Sequence, residues 1–246
     1  MTVDQLKKLK QKKYRQESGF FLAEGEHLVL ELLKAAERNP ALKSCELFMT
    51  EKYQEMNCPY PQHYLTSRQM SQISDTKTPQ GIFAIVAQEE LLKSLQSQAS
   101  KREKPRSVYL YQIQDPGNLG TILRSLAWFG DFQCLLSPDS VDPFNSKVVR
   151  ASMGAIFHVP LRLDVSLAQL KSEHQRIALL DMQGTPLTDP GFQQLDCLLF
   201  GNEARGVPAD ELADLPVQRF TIAGCGSIDS LNLASALTLC AYELNR

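Results

Sequence analysis

No stretch of the 246-residue chain approaches the run of about 18 apolar residues that a membrane helix needs. The amino terminus has no apolar core of the kind a secretory signal carries. Neither sign of charge dominates: 28 acidic against 26 basic side chains leave a net charge of −2. That balance excludes a globally basic coat for nucleic acid while leaving room for a local patch. These absences predict a soluble protein without a membrane span, working in the cytoplasm. The six cysteines, at 45, 58, 134, 197, 225 and 240, form no C-x-x-C pair, and the four histidines do not cluster with them. The expectation is no metal and no disulfide scaffold, but buried free thiols in a reducing compartment. G-x-G-x-x-G, the P-loop, H-E-x-x-H and G-x-S-x-G are all missing, so a phosphate-rich nucleotide cofactor has no glycine cradle. A nucleotide-binding dehydrogenase is therefore remote.

At about 150 residues per domain, the length allows one large domain or two modest ones, and no internal repeat or low-complexity tract divides the chain. The clearest change of composition is EELLKSLQSQASKREKPRS at 89–107, where apolar residues thin out and charge rises. We read a linker there, separating a first part of about 1–100 from a second of 107–246. The first part opens with LKKLKQKKYR at 6–15, six basic residues without an acidic one, in which Leu6 and Leu9 share a helical face. A helix follows, with Leu28, Leu32 and Ala35 at helical spacing and Pro40 beyond its end; 46–49 and 82–87 read as strands. A small α/β module with a basic leading edge is expected. In the second part, strands at 108–113, 132–136, 177–181, 197–200 and 218–222 alternate with helices at 119–129, 144–151, 166–173 and 231–245. This alternation predicts an α/β fold with a parallel sheet and helices on both faces.

Open parallel sheets bind ligands beyond the carboxyl ends of their strands. Three segments follow such ends: Gln114-Asp115-Pro116-Gly117-Asn118-Leu119-Gly120 leading to Arg124, Gly201-Asn202-Glu203-Ala204-Arg205-Gly206, and Ala223 through Asn232. Each has an ordinary structural reading, with Asn118 and Asn232 as helix caps, Arg124 as a solvated helix residue and Glu203 in a plain loop.

Taken in order, DPGNLGTILRS, NSKVVRASMGAIF at 145–157, LLFGNEARGVP and SLNLASALTLCAYEL resemble the SpoU (TrmH-like) family of RNA ribose methyltransferases. The likeness covers 106–246. More loosely, Phe21-x-x-Glu24-Gly25-Glu26-His27 and Gln80-Gly81-Ile82-Phe83-Ala84 resemble the substrate-binding domain that precedes the catalytic domain in many rRNA-modifying members.

The resemblance implies a SPOUT fold, an α/β domain whose carboxyl-terminal segment is threaded into a trefoil knot; nothing in the periodicity reveals one. It implies an S-adenosylmethionine pocket built largely of backbone near 181–184, 200–206 and 222–232, with contacts at Met182, Gly201, Ile222, Ala223 and Leu231. Methyl transfer to a ribose 2′-hydroxyl of RNA, most often ribosomal RNA, is the implied reaction. Arg124 matches the motif arginine; since a guanidinium with a pKa above about 12 is a poor base, its expected work is orientation and charge stabilisation. Asn118 would position Arg124 or the substrate, Glu203 would anchor its loop or handle a proton, and Ser230 and Asn232 would line the site. Arg150 and Ser152 fall between motifs; Arg150 is read either as a phosphate contact or as a surface arginine. The third motif commonly reads S-L-N-V-S, whereas its last position here is Ala234. Family members act as homodimers, and the apolar final helix would contribute to that contact. The basic segments at 6–15 and 101–106 predict RNA contact. The competing readings are a tRNA 2′-O-methyltransferase and a non-catalytic RNA-binding assembly factor.

Overall fold

The computed structural model describes residues 1–100, 105–227 and 230–246. Among them, ten strands form two sheets. The first part holds β1 (Phe20–Glu24), β2 (Glu46–Met49), β3 (Gln62–Tyr64) and β4 (Ile82–Ala87), in the order β1-β4-β2-β3. β4 runs antiparallel to both β1 and β2, whereas β3 joins the edge in parallel. α1 (Val3–Lys8), α2 (Lys12–Ser18), α3 (Glu26–Arg38) and α4 (Ser67–Ile73) pack around it.

The second part holds β5 (Arg106–Leu110), β6 (Phe132–Leu136), β7 (Leu161–Arg162), β8 (Ile177–Pro186), β9 (Cys197–Phe200) and β10 (Val217–Thr221). Their order is β10-β8-β9-β5-β6-β7, and every pairing is parallel. α6 (Pro116–Phe129), α7 (Ser146–Ala151), α8 (Leu167–Glu173), α9 (Ala209–Leu212) and α10 (Leu233–Leu244) complete it. The central strands β5 and β9 are buried almost along their whole lengths, as expected of strands covered on both faces. This explains why they read as continuous apolar runs rather than alternating ones.

The linker reading of 89–107 is corrected over most of its length. Residues Gln88–Ser100 form α5, whose Leu91 and Leu95, one turn apart, are fully buried. Two leucines at i and i+4 suffice to fix a helix that is otherwise polar, and polar composition alone does not make a linker. Residues 101–104, most of the second basic segment, lie outside the described residues. The strands β1 and β3 and the helix α4 are further elements the periodicity did not reveal.

The basic run at 6–15 is not one helix. It breaks between α1 and α2, and Leu6 and Leu9 are both buried against Phe83 and Ile85. Two of its cations serve the fold. Lys10 donates to the carbonyl of Ser74 at 2.7 Å, and Arg15, only 3% exposed, donates to the carbonyls of Leu9 and Lys10 at 2.8 Å and to Asp142 at 2.5 Å.

That Arg15–Asp142 pair joins the two parts, and it has company. Phe21 and Phe144 pack with ring centroids 4.8 Å apart, Ser146 donates to Asp75 at 2.6 Å, and Gln96 donates to the carbonyl of Leu161 at 2.8 Å. One apolar core runs from Phe21 and Leu32 through Leu123 and Val148 to Leu237. On the other side of α7, Gly120 lets α6 come close: a Cβ there would lie 2.4 Å from the Ala151 Cβ and 2.8 Å from the Val148 carbonyl oxygen. The segment around α7 is thus clamped between the first sheet and α6.

Candidate active site at the carboxyl edge of the parallel sheet

β5 ends at Leu110, sooner than its apolar run suggests, and Tyr111 to Ile113 belong to the following loop. Gln112 adopts a left-handed backbone (φ 48°), held by several bonds. Its N–H donates to Ser137 Oγ at 2.7 Å, and its carbonyl accepts from Asn202 Nδ2 at 2.8 Å and Gln114 Nε2 at 3.1 Å. A strained residue of this kind persists where its surroundings over-determine it. α6 then starts at Pro116, whose missing N–H costs nothing in the first turn, with Asp115 accepting from the Asn118 N–H at 2.6 Å.

The loop after β9 folds back on itself. Asn202 is 7% exposed; its backbone exchanges hydrogen bonds with Gly206 at 3.1 and 2.9 Å, and its Oδ1 accepts from the N–H groups of Ala204 and Arg205. Gly201 permits this fold-back, because a Cβ there would stand 2.6 Å from Gly206 backbone atoms. The hairpin presents Glu203 to the neighbouring loop, where its carboxylate accepts from the N–H groups of Gln114 and Asp115, both at 3.3 Å.

α10 packs on α6. Asn232 caps α10, its Oδ1 accepting from the N–H groups of Ala234 and Ser235 at 3.0 and 3.2 Å. Its Nδ2 donates to Asn118 Oδ1 at 2.9 Å, while Asn118 Nδ2 donates to Glu203 Oε1 at 3.4 Å. Three residues separated by 85 and 114 positions from one another's partner thereby form one directional relay, Asn232 to Asn118 to Glu203.

The other expected residues fall into three groups. Arg124 lies on α6, exposed, about 9 Å along the axis from Asn118 at 1.5 Å per residue. Among the described residues its guanidinium has no hydrogen bond or ion pair, so it is available to an incoming anion. Met182, in the middle of β8 where its register with β10 shifts, is exposed, as are Ala223, Ser230 and Leu231; Gly201 and Ile222, just beyond β9 and β10, are half-buried, and Thr221 Oγ1 donates to the Met182 carbonyl at 3.2 Å. Ser230 and Leu231 stand before α10, not within it. Arg150 and Ser152 are not brought to this edge. Ser152 is fully buried, its hydroxyl donating to the Val149 carbonyl at 2.7 Å, so the substrate-binding expectation is corrected to a packing role. Arg150 faces Glu24 of the first part.

Sequence reasoning passed over Asn202 and Gln112, which build the two loops. The signal for Asn202 was its place directly after a strand-ending glycine, where an amide can bridge two loops; nothing in the sequence marks Gln112 as left-handed. The expectation for the thiols holds for Cys45, Cys134, Cys197 and Cys240, which are buried, while Cys225 is exposed. Hydrogen bonds from the Ser227 hydroxyl and backbone hold the Cys225 thiol below its ordinary pKa. Tyr111 donates to Glu211 at 2.8 Å, and burial, reinforced by that carboxylate, pushes its phenol up to about 12, so it remains a donor.

The architecture defines a class: a parallel α/β sheet with hydrogen-bonded loops at its carboxyl edge and no glycine-rich phosphate cradle. Residues 105–242 match the SpoU rRNA Methylase family, and residues 1–84 match the MRM3-like substrate binding domain. The chain is 30% identical, over 98% of its own length and 95% of the relative's, to the 23S rRNA (guanosine(2553)-2′-O)-methyltransferase RlmP of Bacillus subtilis. Its structure is similar to that of the AdoMet-bound rRNA methyltransferase from Sinorhizobium meliloti, at 26% identity and a TM-score of 0.76, covering 98% and 93% of the two chains. The SpoU methyltransferase AviRb from Streptomyces viridochromogenes, solved with AdoMet, shares the fold at a TM-score of 0.80 and 20% identity over 99% and 96% of the chains. The chain belongs to the SpoU rRNA methylase family.

S-adenosylmethionine fits the residues present. The loops that would hold it offer little side-chain chemistry but free main chain: among the described residues, 223–227 make no backbone–backbone hydrogen bond, and Met182 and Leu231 expose apolar surface beside them. No helix among the described residues is long and apolar enough to cross a membrane.

Proposed function

We propose that this protein transfers a methyl group from S-adenosylmethionine to a ribose 2′-hydroxyl of RNA, with ribosomal RNA as substrate. The observation that carries the proposal is the Asn232–Asn118–Glu203 relay, which ties the three motif segments together at the edge where the sheet opens. When bound, the cofactor supplies an electrophilic methyl group on its sulfonium. Backbone at Gly201, Ile222 and Ala223, with the Met182 and Leu231 side chains, would hold it, and the knot of the SPOUT fold would shape the loops. Ser230 would line the pocket at the approach to α10.

Arg124, without a partner among the described residues, orients the ribose hydroxyl and its neighbouring phosphate through a planar fork suited to phosphate oxygens. Asn118 is fixed from both sides, so it positions the substrate edge nearest Arg124. Glu203 anchors the β9 loop to the start of α6, and Asn232 transmits the same constraint from α10.

We read residues 1–100 as the substrate-binding part and 107–246 as the methyltransferase part, working in the cytoplasm as a homodimer. Support for the dimer is exposed apolar surface on the packed pair α6 and α10, with Trp128 84% exposed and Leu239 and Tyr242 exposed as well. A tRNA substrate is the second reading; the match of residues 1–84 to a substrate-binding domain of an rRNA enzyme favours ribosomal RNA.

The deciding experiment is transfer of labelled methyl to total RNA from a strain lacking this protein, with Arg124→Ala as control. Label in ribosomal RNA, absent with the variant, is expected. Label in tRNA overturns the substrate. Absence of both label and cofactor binding favours a non-catalytic assembly factor.

A further inference from the structure

The two sequence segments of the first part that resemble a substrate-binding domain meet at one place, away from the sheet edge just described. Glu24, Gly25 and His27 from the first, and Gln80 from the second, line a cavity of about 310 Å3 together with Leu28, Thr76, Thr78, Arg150 and Met153. Its walls come from both parts of the chain. That volume is at the lower end of the range ligand pockets occupy, about 300–1,000 Å3.

Arg150 is the feature that points to a ligand. Its Nη1 is buried and lies 3.6 Å from Glu24 Oε2, too far for a hydrogen bond, and among the described residues no group accepts from the guanidinium. A buried donor without an acceptor is costly unless something else supplies one. Glu24 has other donors: its carboxylate accepts from Ser74 Oγ, from Thr76 Oγ1 at 3.0 Å and from the Asp75 N–H at 3.4 Å. The carboxylate therefore aims Arg150 without satisfying it. Met153, whose N–H donates to the Arg150 carbonyl at 3.1 Å, is 43% exposed on a left-handed backbone (φ 51°), an arrangement that spends strain to hold an apolar side chain in the cavity lining. Leu28, otherwise buried in the core, adds an apolar edge to the lining, and Thr76, Thr78 and Gln80 line it as well.

We propose that this cleft holds one unpaired nucleotide of the RNA, its base against Met153 and Leu28 and its phosphate on Arg150. This rests on the reading of the substrate as ribosomal RNA and names a subsite for it. A phosphate alone would leave the apolar walls uncovered, and a duplex cannot enter a cavity of this size; splayed single nucleotides are what RNA-reading pockets commonly take. Because α7 packs directly on α6, a nucleotide held at Arg150 would fix the strand relative to Arg124.

The test measures binding of deproteinised 23S rRNA over a range of salt, together with steady-state methyl transfer, for the full chain and for Arg150→Gln, Arg150→Lys and Met153→Ala. Loss of one phosphate contact reduces the slope of log K against log[salt] by about 0.7–0.9. Arg150→Gln is expected to show that reduction and to raise KM for the rRNA about tenfold while kcat falls less than twofold. Arg150→Lys keeps the charge beside Glu24 and is expected to keep the slope but still raise KM, because the fork is gone. Met153→Ala is expected to raise KM alone. Should Arg150→Gln unfold, the lysine and alanine variants carry the test. Unchanged slope and KM across the variants, with wild-type protein binding normally, overturns the cleft and leaves Arg150 a strut between the two parts. A wild-type protein that does not bind rRNA overturns the substrate reading beneath it.

Discussion

Replacing Asn232 by Asp separates two jobs that one side chain performs. Its Oδ1 caps α10 and its Nδ2 donates to Asn118. Aspartate caps as well as asparagine does, and its charge at the positive end of a 12-residue helix adds about 0.3–1 kcal/mol of stability. The second job is lost, because a carboxylate oxygen then faces Asn118 Oδ1 at a 2.9 Å separation built for a donor and an acceptor. Asn118 can relieve this by turning its amide over, but its oxygen then faces Glu203, with which its Nδ2 was bonded. One end of the relay is broken either way, at about 1 kcal/mol for a solvent-reached hydrogen bond. The gain and the loss nearly cancel, so urea unfolding should find Asn232→Asp within about 1 kcal/mol of wild type. Asn232→Ala loses both the cap and the bond, at about 1 kcal/mol each, and should fall by about 2 kcal/mol. Both variants should lose methyl transfer at least tenfold, equivalent to about 1.4 kcal/mol of barrier, since both release Asn118. Single-turnover transfer at saturating cofactor is the assay. Wild-type turnover by Asn232→Asp refutes the relay and reduces Asn232 to a cap.

Arg15→Met should cost about 3–5 kcal/mol in urea unfolding, because it leaves Asp142 without its buried partner and two carbonyls without donors; a loss below about 1 kcal/mol contradicts a structural role. Gly120→Val should destabilise by about 1–3 kcal/mol through overpacking against Ala151, and the same change should reduce rRNA methylation by displacing α6 from α7. Iodoacetamide should alkylate Cys225 ahead of every other cysteine, with its rate rising through a pH below the ordinary thiol pKa; S-adenosylmethionine should protect it, and labelling of Cys134 or Cys240 in the native protein counts against the packing. Trp128→Glu should turn a dimer into a monomer by sedimentation, and an unchanged sedimentation coefficient moves the dimer contact elsewhere.

The parallel sheet was legible because its central strands, buried on both faces, are short runs of Val, Leu, Tyr, Phe and Cys separated by helical spacing. The first sheet was less so. β1 is four apolar residues closed by Glu24, which merge with the motif following them, and β3, at an exposed edge, carries Gln62, His63 and Tyr64, which no apolar pattern marks. α5 was hidden because Leu91 and Leu95 are its only buried residues. At the site, Asn118, Glu203 and Asn232 were named from the sequence, yet their mutual bonds span 85 and 114 residues and depend on strand order, which no local pattern encodes. The misreading of Ser152 has the same origin: a hydroxyl next to an arginine looks accessible until packing turns it toward the Val149 carbonyl.

The position of α6 accounts for the close joining of the two parts. This helix carries Asn118 at its start and Arg124 farther along, so a small rotation would move both. Each side of it is fixed: Gly120 admits α7 to contact, and Ser125 shares a hydrogen bond of 2.7 Å with Thr238 of α10. α10 is in turn oriented at its cap by Asn232, and the segment leading into α7 is held to the first part by Arg15–Asp142 and Phe21–Phe144. The cost of burying an arginine and an aspartate is met only by good geometry and full hydrogen bonding, and Arg15 has both. A chain that needed the first part only as a tether for RNA would gain nothing from burying that pair. Rigid attachment is useful when distance matters, that is, when an RNA gripped by the first part must present one particular ribose to Arg124.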